Sequence, residues 1–144
     1  MLKETRTSRG TVPQLDHTPS WNGTSYDRAS RRIIVTATLN PSWDIYAWAK
    51  APIRADDANR VEVICAAPGG KPLNASRIIA KIGGETVAIL PLGGLTGEKI
   101  QKRLVSEGIS LDVIRISGET RENFFVQDPT GAEYRFHQAG PTLS

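Results

Sequence analysis

From residue 32 onward the chain alternates β-branched runs with amphipathic stretches, and glycine or proline marks each change of texture. Ile33-Ile34-Val35-Thr36-Ala37-Thr38-Leu39 reads as a strand buried on both faces, as in a parallel sheet. Asn40-Pro41 ends it. Asp44 to Lys50 and Arg60 to Ala66 read as two shorter strands, separated by a solvated turn at Asp56-Asp57. After Gly69-Gly70, apolar residues at 75, 78, 79 and 82 have helical spacing, and Gly83-Gly84 stops that helix. Thr86 to Leu90 is a second buried strand. Gly93-Gly94 opens a turn into a helix to about Glu107, with Thr96 as its cap, Ile100 and Leu104 facing inward and Glu98 paired to Lys102. Gly108 ends this helix and Leu111 to Ile116 is a third strand. Asn123–Gln127 and Glu133–His137 flank Asp128-Pro129-Thr130-Gly131, a hairpin turn. The order predicts an α/β fold in which a parallel sheet carries helices, with a small antiparallel flap beside it.

Length allows one domain of ordinary size in 144 residues. Residues 1–31, rich in Ser, Thr, Arg, Gly and Pro without apolar periodicity, are expected to be a disordered basic extension, and 32–144 the folded part. The net charge is +3, but residues 33–144 hold twelve basic and twelve acidic side chains, so the excess belongs to the N-terminal segment. A neutral body argues against a nucleic-acid footprint. No run approaches the ~20 apolar residues that span a bilayer, and no signal-peptide core precedes the domain. A lone cysteine, Cys65, suits a reducing cytoplasm.

The stretch Gly69-Gly70-Lys71-Pro72-Leu73-Asn74-Ala75-Ser76-Arg77 carries the chemistry. Glycines let a ligand reach the backbone, and a helix start offers unpaired N–H groups. Pro72 suits the first helical position. Lys71 adds charge, and Asn74 an amide that both donates and accepts. The pattern suits a polyhydroxy or phosphorylated small molecule; its plain alternative is a tight strand-to-helix turn. Asp44 is placed to accept two neighbouring sugar hydroxyls, or to serve its own turn. Arg121 and Arg135 are placed to fork onto a phosphate, or to be solvated hairpin charges. The P-loop and dinucleotide patterns are missing from the diglycine stretch. His17 and His137 with one cysteine make a zinc site improbable, and no Gly-x-Ser-x-Gly elbow supports acyl transfer.

Taken together, these residues resemble the N-terminal half of the ribokinase/pfkB family of carbohydrate kinases, nearest its phosphofructokinase and tagatose-6-phosphate kinase branch. The matching pieces are Thr38-Leu39-Asn40-Pro41 with Asp44, Asn59-Arg60-Val61, Pro68-Gly69-Gly70-Lys71 with Asn74 and Arg77, and Gly93-Gly94-Leu95-Thr96-Gly97. Gly118-Glu119-Thr120-Arg121 and Tyr134-Arg135-Phe136 before Gly140-Pro141 complete the set. The resemblance implies a doubly wound α/β body with a β-sheet lid that closes over the sugar and serves as a homodimer clasp. It implies that Asp44, Gly69, Gly70 and Asn74 hold sugar hydroxyls, with Lys71 beside them, and that Arg121 and Arg135 face the sugar's phosphate. The implied reaction is transfer of the ATP γ-phosphoryl group, with Mg²⁺, to a phosphorylated hexose.

Three departures qualify the match. Pro72-Leu73-Asn74-Ala75-Ser76-Arg77 replaces the family's usual Gly-Ile-Asn-Val-Ala-Arg, and Ala58 stands where some members carry a lid lysine. The family's Gly-Ala-Gly-Asp motif, which supplies the catalytic base beside the ATP site, is absent from these 144 residues. The chain is therefore expected to hold the acceptor-sugar part and lid, with most ATP- and Mg²⁺-binding residues absent, and to be inactive alone. The alternative is a non-catalytic sugar-phosphate-binding or dimerisation module.

Overall fold

The computed structural model describes residues 32–142. The extension expected over 1–31 lies outside the described residues. Nine elements follow one another: β1 (Ile34–Ala37), β2 (Ser42–Ala49), β3 (Val61–Gly69), α1 (Lys71–Lys81), β4 (Thr86–Leu92), α2 (Gly94–Ser106), β5 (Ser110–Arg115), β6 (Arg121–Gln127) and β7 (Glu133–His137). They build two sheets. One is parallel, in the order β1-β4-β5, and the other is mixed, in the order β3-β2-β6-β7.

The parallel sheet forms because each strand is returned by a helix. β1 pairs with β4 and β4 with β5, all parallel. Alternate β4 residues Ala88, Leu90 and Leu92 share a face, and all three are fully buried with Leu73 from α1 and Ile100 and Leu104 from α2. Both helices thus pack on one face, as successive right-handed crossovers in one direction require. Each fully buried leucine or isoleucine contributes roughly 1.5–3 kcal/mol. Under α1 the packing is polar. The Ser76 hydroxyl lies 2.7 Å from that of Thr36 and 2.8 Å from that of Thr86, so its burial leaves no hydroxyl unpaired. Farther along, Arg77 forks onto Glu107, with Nε donating to Oε2 (2.7 Å) and Nη2 to Oε1 (3.0 Å), and Arg103 adds a third bond. Burial pushes the Glu107 carboxyl up, but the hydrogen bonds and charges of Arg77 and Arg103 outweigh it and hold it below its ordinary value. That carboxylate ties α1 to the end of α2.

In the mixed sheet, β2 pairs antiparallel with β3 and parallel with β6, and β6 pairs antiparallel with β7. A bulge between Tyr46 and Ala47 leaves Ile64 without an opposite number. On one side of the sheet, Ala47, Ala49 and Val126 form a second core with Ile53 and Tyr134. The Asp128 carboxylate closes the hairpin, accepting from the Thr130 amide (2.9 Å) and from the Ile53 amide (3.1 Å). Lys99 joins α2 to this sheet, donating to Glu122 (3.2 Å) with its ammonium 5.6 Å from the Trp43 ring centroid.

Four expectations need correction. The first strand is not buried on both faces: Ile33, Ile34 and Val35 are exposed, because among the described residues β1 is an edge strand with helices over one face only. In α1 the inward residues are Leu73 and Ser76, while Ile78 and Ile82 face outward, 62% and 77% exposed. Thr96 does not cap α2. Gly93 occupies the cap position, and the Glu119 carboxylate accepts from the Thr96 amide (2.7 Å) and the Leu95 amide (3.3 Å). The Glu98–Lys102 pair is not made; α2 instead pairs Arg103 with Glu107 and Lys99 with Glu122.

Hydrogen bonding, first from the Thr96 amide, holds the Glu119 carboxyl below its ordinary value. A depressed folded-state pKa contributes stability above the ordinary glutamate value, and that contribution is lost as the pH falls through the folded value. Glu119→Gln is expected to destabilise the chain by roughly 1 kcal/mol or less at neutral pH, this carboxylate being exposed. Thermal unfolding measured across acid pH should show the gap between the two proteins closing once wild-type Glu119 is protonated. A gap independent of pH would contradict this account.

Candidate functional site

β1, β4 and β5 all end at the same edge, where the connections to the mixed sheet also run. In open parallel sheets such carboxyl ends form the binding crevice. Here Thr38 is tied to β4 by its amide (3.0 Å to the Ile89 carbonyl), and Thr120 to the α2 entrance by a backbone bond to Gly93 (3.0 Å). The Thr120 hydroxyl in turn accepts from the Gly93 amide at 3.0 Å.

Register decides which side chains share this edge. Ser42 is opposite Gly69 and Arg121; Asp44 is opposite Ala67 and Asn123; Tyr46 is opposite Cys65 and Phe125. All lie on one face of the mixed sheet, and His137 and Arg135 continue the Asn123 and Phe125 rows. Tyr46 and Phe125 stack with ring centroids 4.8 Å apart, and Phe125 meets the edge of His137. The site's carboxylate is Asp44, half-buried, whose Oδ1 accepts from the Ser42 hydroxyl (2.7 Å) and from Asn123 Nδ2 (2.8 Å).

The diglycine is required by this geometry. A methyl group on Gly69 would overlap the Asp44 carboxylate. Gly70 has φ +134°, a conformation that L side chains rarely adopt, and its added Cβ would press on Thr38 Cγ2 at 2.5 Å. α1 begins directly after it, with Pro72 in the first turn and no side-chain cap. The two helix entrances at this edge therefore differ: among the described residues Glu119 fills that of α2, whereas no side chain fills that of α1.

Of the residues expected to act, Asp44, Gly69 and Gly70 come together directly. Lys71 and Asn74 are exposed on the first turn of α1, where the Asn74 amide donates to the Gly70 carbonyl (2.9 Å). Asn74 also lines a groove between α1 and α2 with Arg77, Ile78 and Glu107. That groove shares only Asn74 with the expected set, so the candidate site is singled out by the chemistry at Asp44 rather than by concavity. Arg121 lies beside Ser42, held by the Asn40 carbonyl (3.2 Å) and the Gln138 carbonyl (3.4 Å). Arg135 is exposed and paired with Glu133. It faces Phe125, four residues along β6 from Arg121, a separation of about 13 Å along the strand. The two guanidinium groups make different bonds, Arg121 to the Asn40 and Gln138 carbonyls and Arg135 to Glu133.

Three buried polar atoms have no hydrogen-bond partner among the described residues: Thr38 Oγ1, Asn123 Oδ1 and Arg121 Nε. All three border the Asp44–diglycine edge. Thr38 stands inside a recognisable motif, but nothing in its type marks an unsatisfied hydroxyl. Ser42 and Asn123 become partners of Asp44 only through strand pairing. No group of three or more His, Cys, Asp or Glu among the described residues is placed to hold a metal, and none of their helices is long and apolar enough to cross a membrane.

A sequence profile of the pfkB family carbohydrate kinases matches residues 33–137. The ATP-dependent 6-phosphofructokinase isozyme 2 of Mycobacterium tuberculosis is 36% identical over 121 residues, 83% of this chain and 35% of that protein. Phosphofructokinase-2 from Escherichia coli, solved in complex with fructose 6-phosphate, superposes with a TM-score of 0.70 at 34% identity, over 76% of this chain and 36% of that one. The tetrameric inhibited form of the same enzyme gives 0.70 at 33% identity, over 79% and 37%. The chain spans about a third of the length of the curated relatives it matches.

Gly69→Ala must displace Asp44, Ser42 or the β3 backbone. A loss of about 1–3 kcal/mol, typical of overpacking, is expected in urea unfolding. Unchanged stability, with Asp44 unmoved in a crystal structure of the variant, would refute the close-packing account.

Proposed function

The chain belongs to the pfkB family of carbohydrate kinases, and from that membership we propose that it carries the acceptor-sugar part of a phosphofructokinase-like hexose kinase. The observation that carries this reading is the Asp44 carboxylate, laid against Gly69 at the entrance of a helix that no side chain caps. A carboxylate accepts sugar hydroxyls, and the bare helix start offers backbone donors to an anionic or polyhydroxy ligand. In this proposal Arg121, whose buried Nε has no partner among the described residues, serves the sugar's phosphate, and Lys71 adds positive charge on the first turn of α1. Arg135, on the adjoining strand β7 and on the same face of the sheet, is the second residue assigned to that phosphate. The names of the similar proteins support fructose 6-phosphate as the first sugar to try.

Kinases of this family use ATP and a metal ion, and ATP supplies the phosphoryl group when bound. The described residues bring together no cluster suited to magnesium. What this chain's own residues do is bind and orient the acceptor. The base and the nucleotide pocket belong, in this proposal, to residues other than these 144. The exposed Cys65 thiol supports the reducing, cytoplasmic setting expected from the sequence.

A second element of the proposal is self-association through the mixed sheet. Val61, Val63, Ile64 and Phe136 are between 46% and 65% exposed on it, more apolar surface than an isolated sheet edge comfortably presents to water. This supports a homodimer clasp, and equally the alternative of a binding or dimerising module without chemistry.

Titration calorimetry of the 144-residue chain with fructose 6-phosphate should show binding that Asp44→Ala and Arg121→Ala each weaken about tenfold or more. A coupled assay with ATP and Mg²⁺ should show no turnover. Sugar-dependent ADP formation by this chain alone would sink the proposal that it lacks the base, and affinity untouched by Asp44→Ala would sink the site.

For the clasp, sedimentation equilibrium should show a dimer that Val63→Glu with Ile64→Glu converts to monomer. A wild-type monomer at all accessible concentrations would rule it out.

A further inference from the structure

The unpaired carbonyl of a buried asparagine points to a residue that works through Asp44. Asn123 is 3% exposed. Its Nδ2 donates to Asp44 Oδ1 at 2.8 Å, and its Oδ1, also buried, has no partner among the described residues. Leaving a buried acceptor unsatisfied is unfavourable, and native proteins retain few such atoms. Rotating the amide would not relieve it: Asn123 Oδ1 would then face the Asp44 oxygen, acceptor against acceptor. Asp44 therefore dictates how the amide lies.

The reverse also holds. Each carboxylate oxygen offers about two lone-pair sites. Asp44 Oδ1 receives Asn123 Nδ2 on one side and the Ser42 hydroxyl on the other, so both are occupied. Oδ2 accepts no hydrogen bond among the described residues and is the oxygen nearest the position a Cβ on Gly69 would take, beside the entrance of α1.

We propose that Asn123 and Ser42 are positioning residues that saturate Asp44 Oδ1 and so present Oδ2 alone to the sugar. This rests on the sugar-site reading above. It alters that reading in one respect, since the sugar meets one carboxylate oxygen rather than a hydroxyl on each. The cross-strand register that puts Ser42 beside Arg121 and Asp44 beside Asn123 makes the arrangement a property of the β2–β6 pairing. Ser42, 2% exposed, is shielded from competing water.

The test is a double-mutant cycle on fructose 6-phosphate affinity in the full chain, with a spectroscopic readout that needs no ligand. Asn123→Ala and Ser42→Ala should each weaken binding several-fold, Ser42→Thr should restore it, and Asn123→Ala should add nothing once Asp44 is alanine. A purely structural role for Asn123 would weaken binding equally in both backgrounds and would overturn the proposal. In amide NMR spectra of the free protein, the Asn123 side-chain resonances should shift strongly on Asp44→Ala; unmoved resonances would overturn it too. If Asp44→Ala itself leaves affinity unchanged while those resonances move, the sugar-site reading has failed and the Asn123–Asp44 link has not. If Asp44→Ala abolishes binding while Asn123→Ala and Ser42→Ala do not alter it, the link is the part that is wrong.

Discussion

The structure turns on one close approach, that of the Asp44 carboxylate to the backbone of Gly69. Two glycines in succession, one without room for a Cβ and the next at a φ of +134°, let β3 finish against β2 and turn at once into α1. That turn brings the entrance of α1 to the carboxylate. Without it, the mixed sheet and the parallel sheet would still be sheets, but they would not share an edge that holds charge and open backbone donors together.

Around that contact the two sheets divide the work. The parallel sheet with α1 and α2 supplies the main apolar core, in which β4 is buried against both helices. The mixed sheet supplies the polar face, because parallel pairing of β2 with β6 aligns Ser42 with Arg121 and Asp44 with Asn123. Polar side chains also join the parts: Arg77 and Arg103 on Glu107 join the helices, Lys99 on Glu122 joins α2 to the mixed sheet, and Glu119 fills the α2 entrance. Among the described residues Glu119 fills one helix entrance, and no side-chain cap fills the other.

Much of this was legible beforehand. Element order, the diglycine turn, the hairpin around Asp128 to Gly131, and Ile100 and Leu104 as core all follow from periodicity and turn chemistry. The misses share a cause. Ile33 to Val35 and the ridge of Ile78 and Ile82 are apolar by composition, yet they lie outside the core of the described residues. Apolarity predicts that a residue seeks cover without saying which neighbour provides it. Ser76 is buried in their place because two threonines from different strands meet its hydroxyl, a match no single segment encodes. Glu119 capping α2 from 23 residues away is the same kind of event.

The sequence by itself determined the alternation of strands and helices, the family to which the chain belongs, and the diglycine turn into a helix, since these depend on turn chemistry and short-range pattern; that Gly69 has no room for a Cβ was decided by Asp44 on the neighbouring strand. Tertiary structure alone decided that Asn123 and Ser42 share one oxygen of Asp44, and that Thr38, Asn123 and Arg121 each keep a polar atom unpaired among the described residues at the same edge. Those outcomes depend on strand register and crossover, which bring residues 79 positions apart within 2.8 Å and follow from no local preference of either.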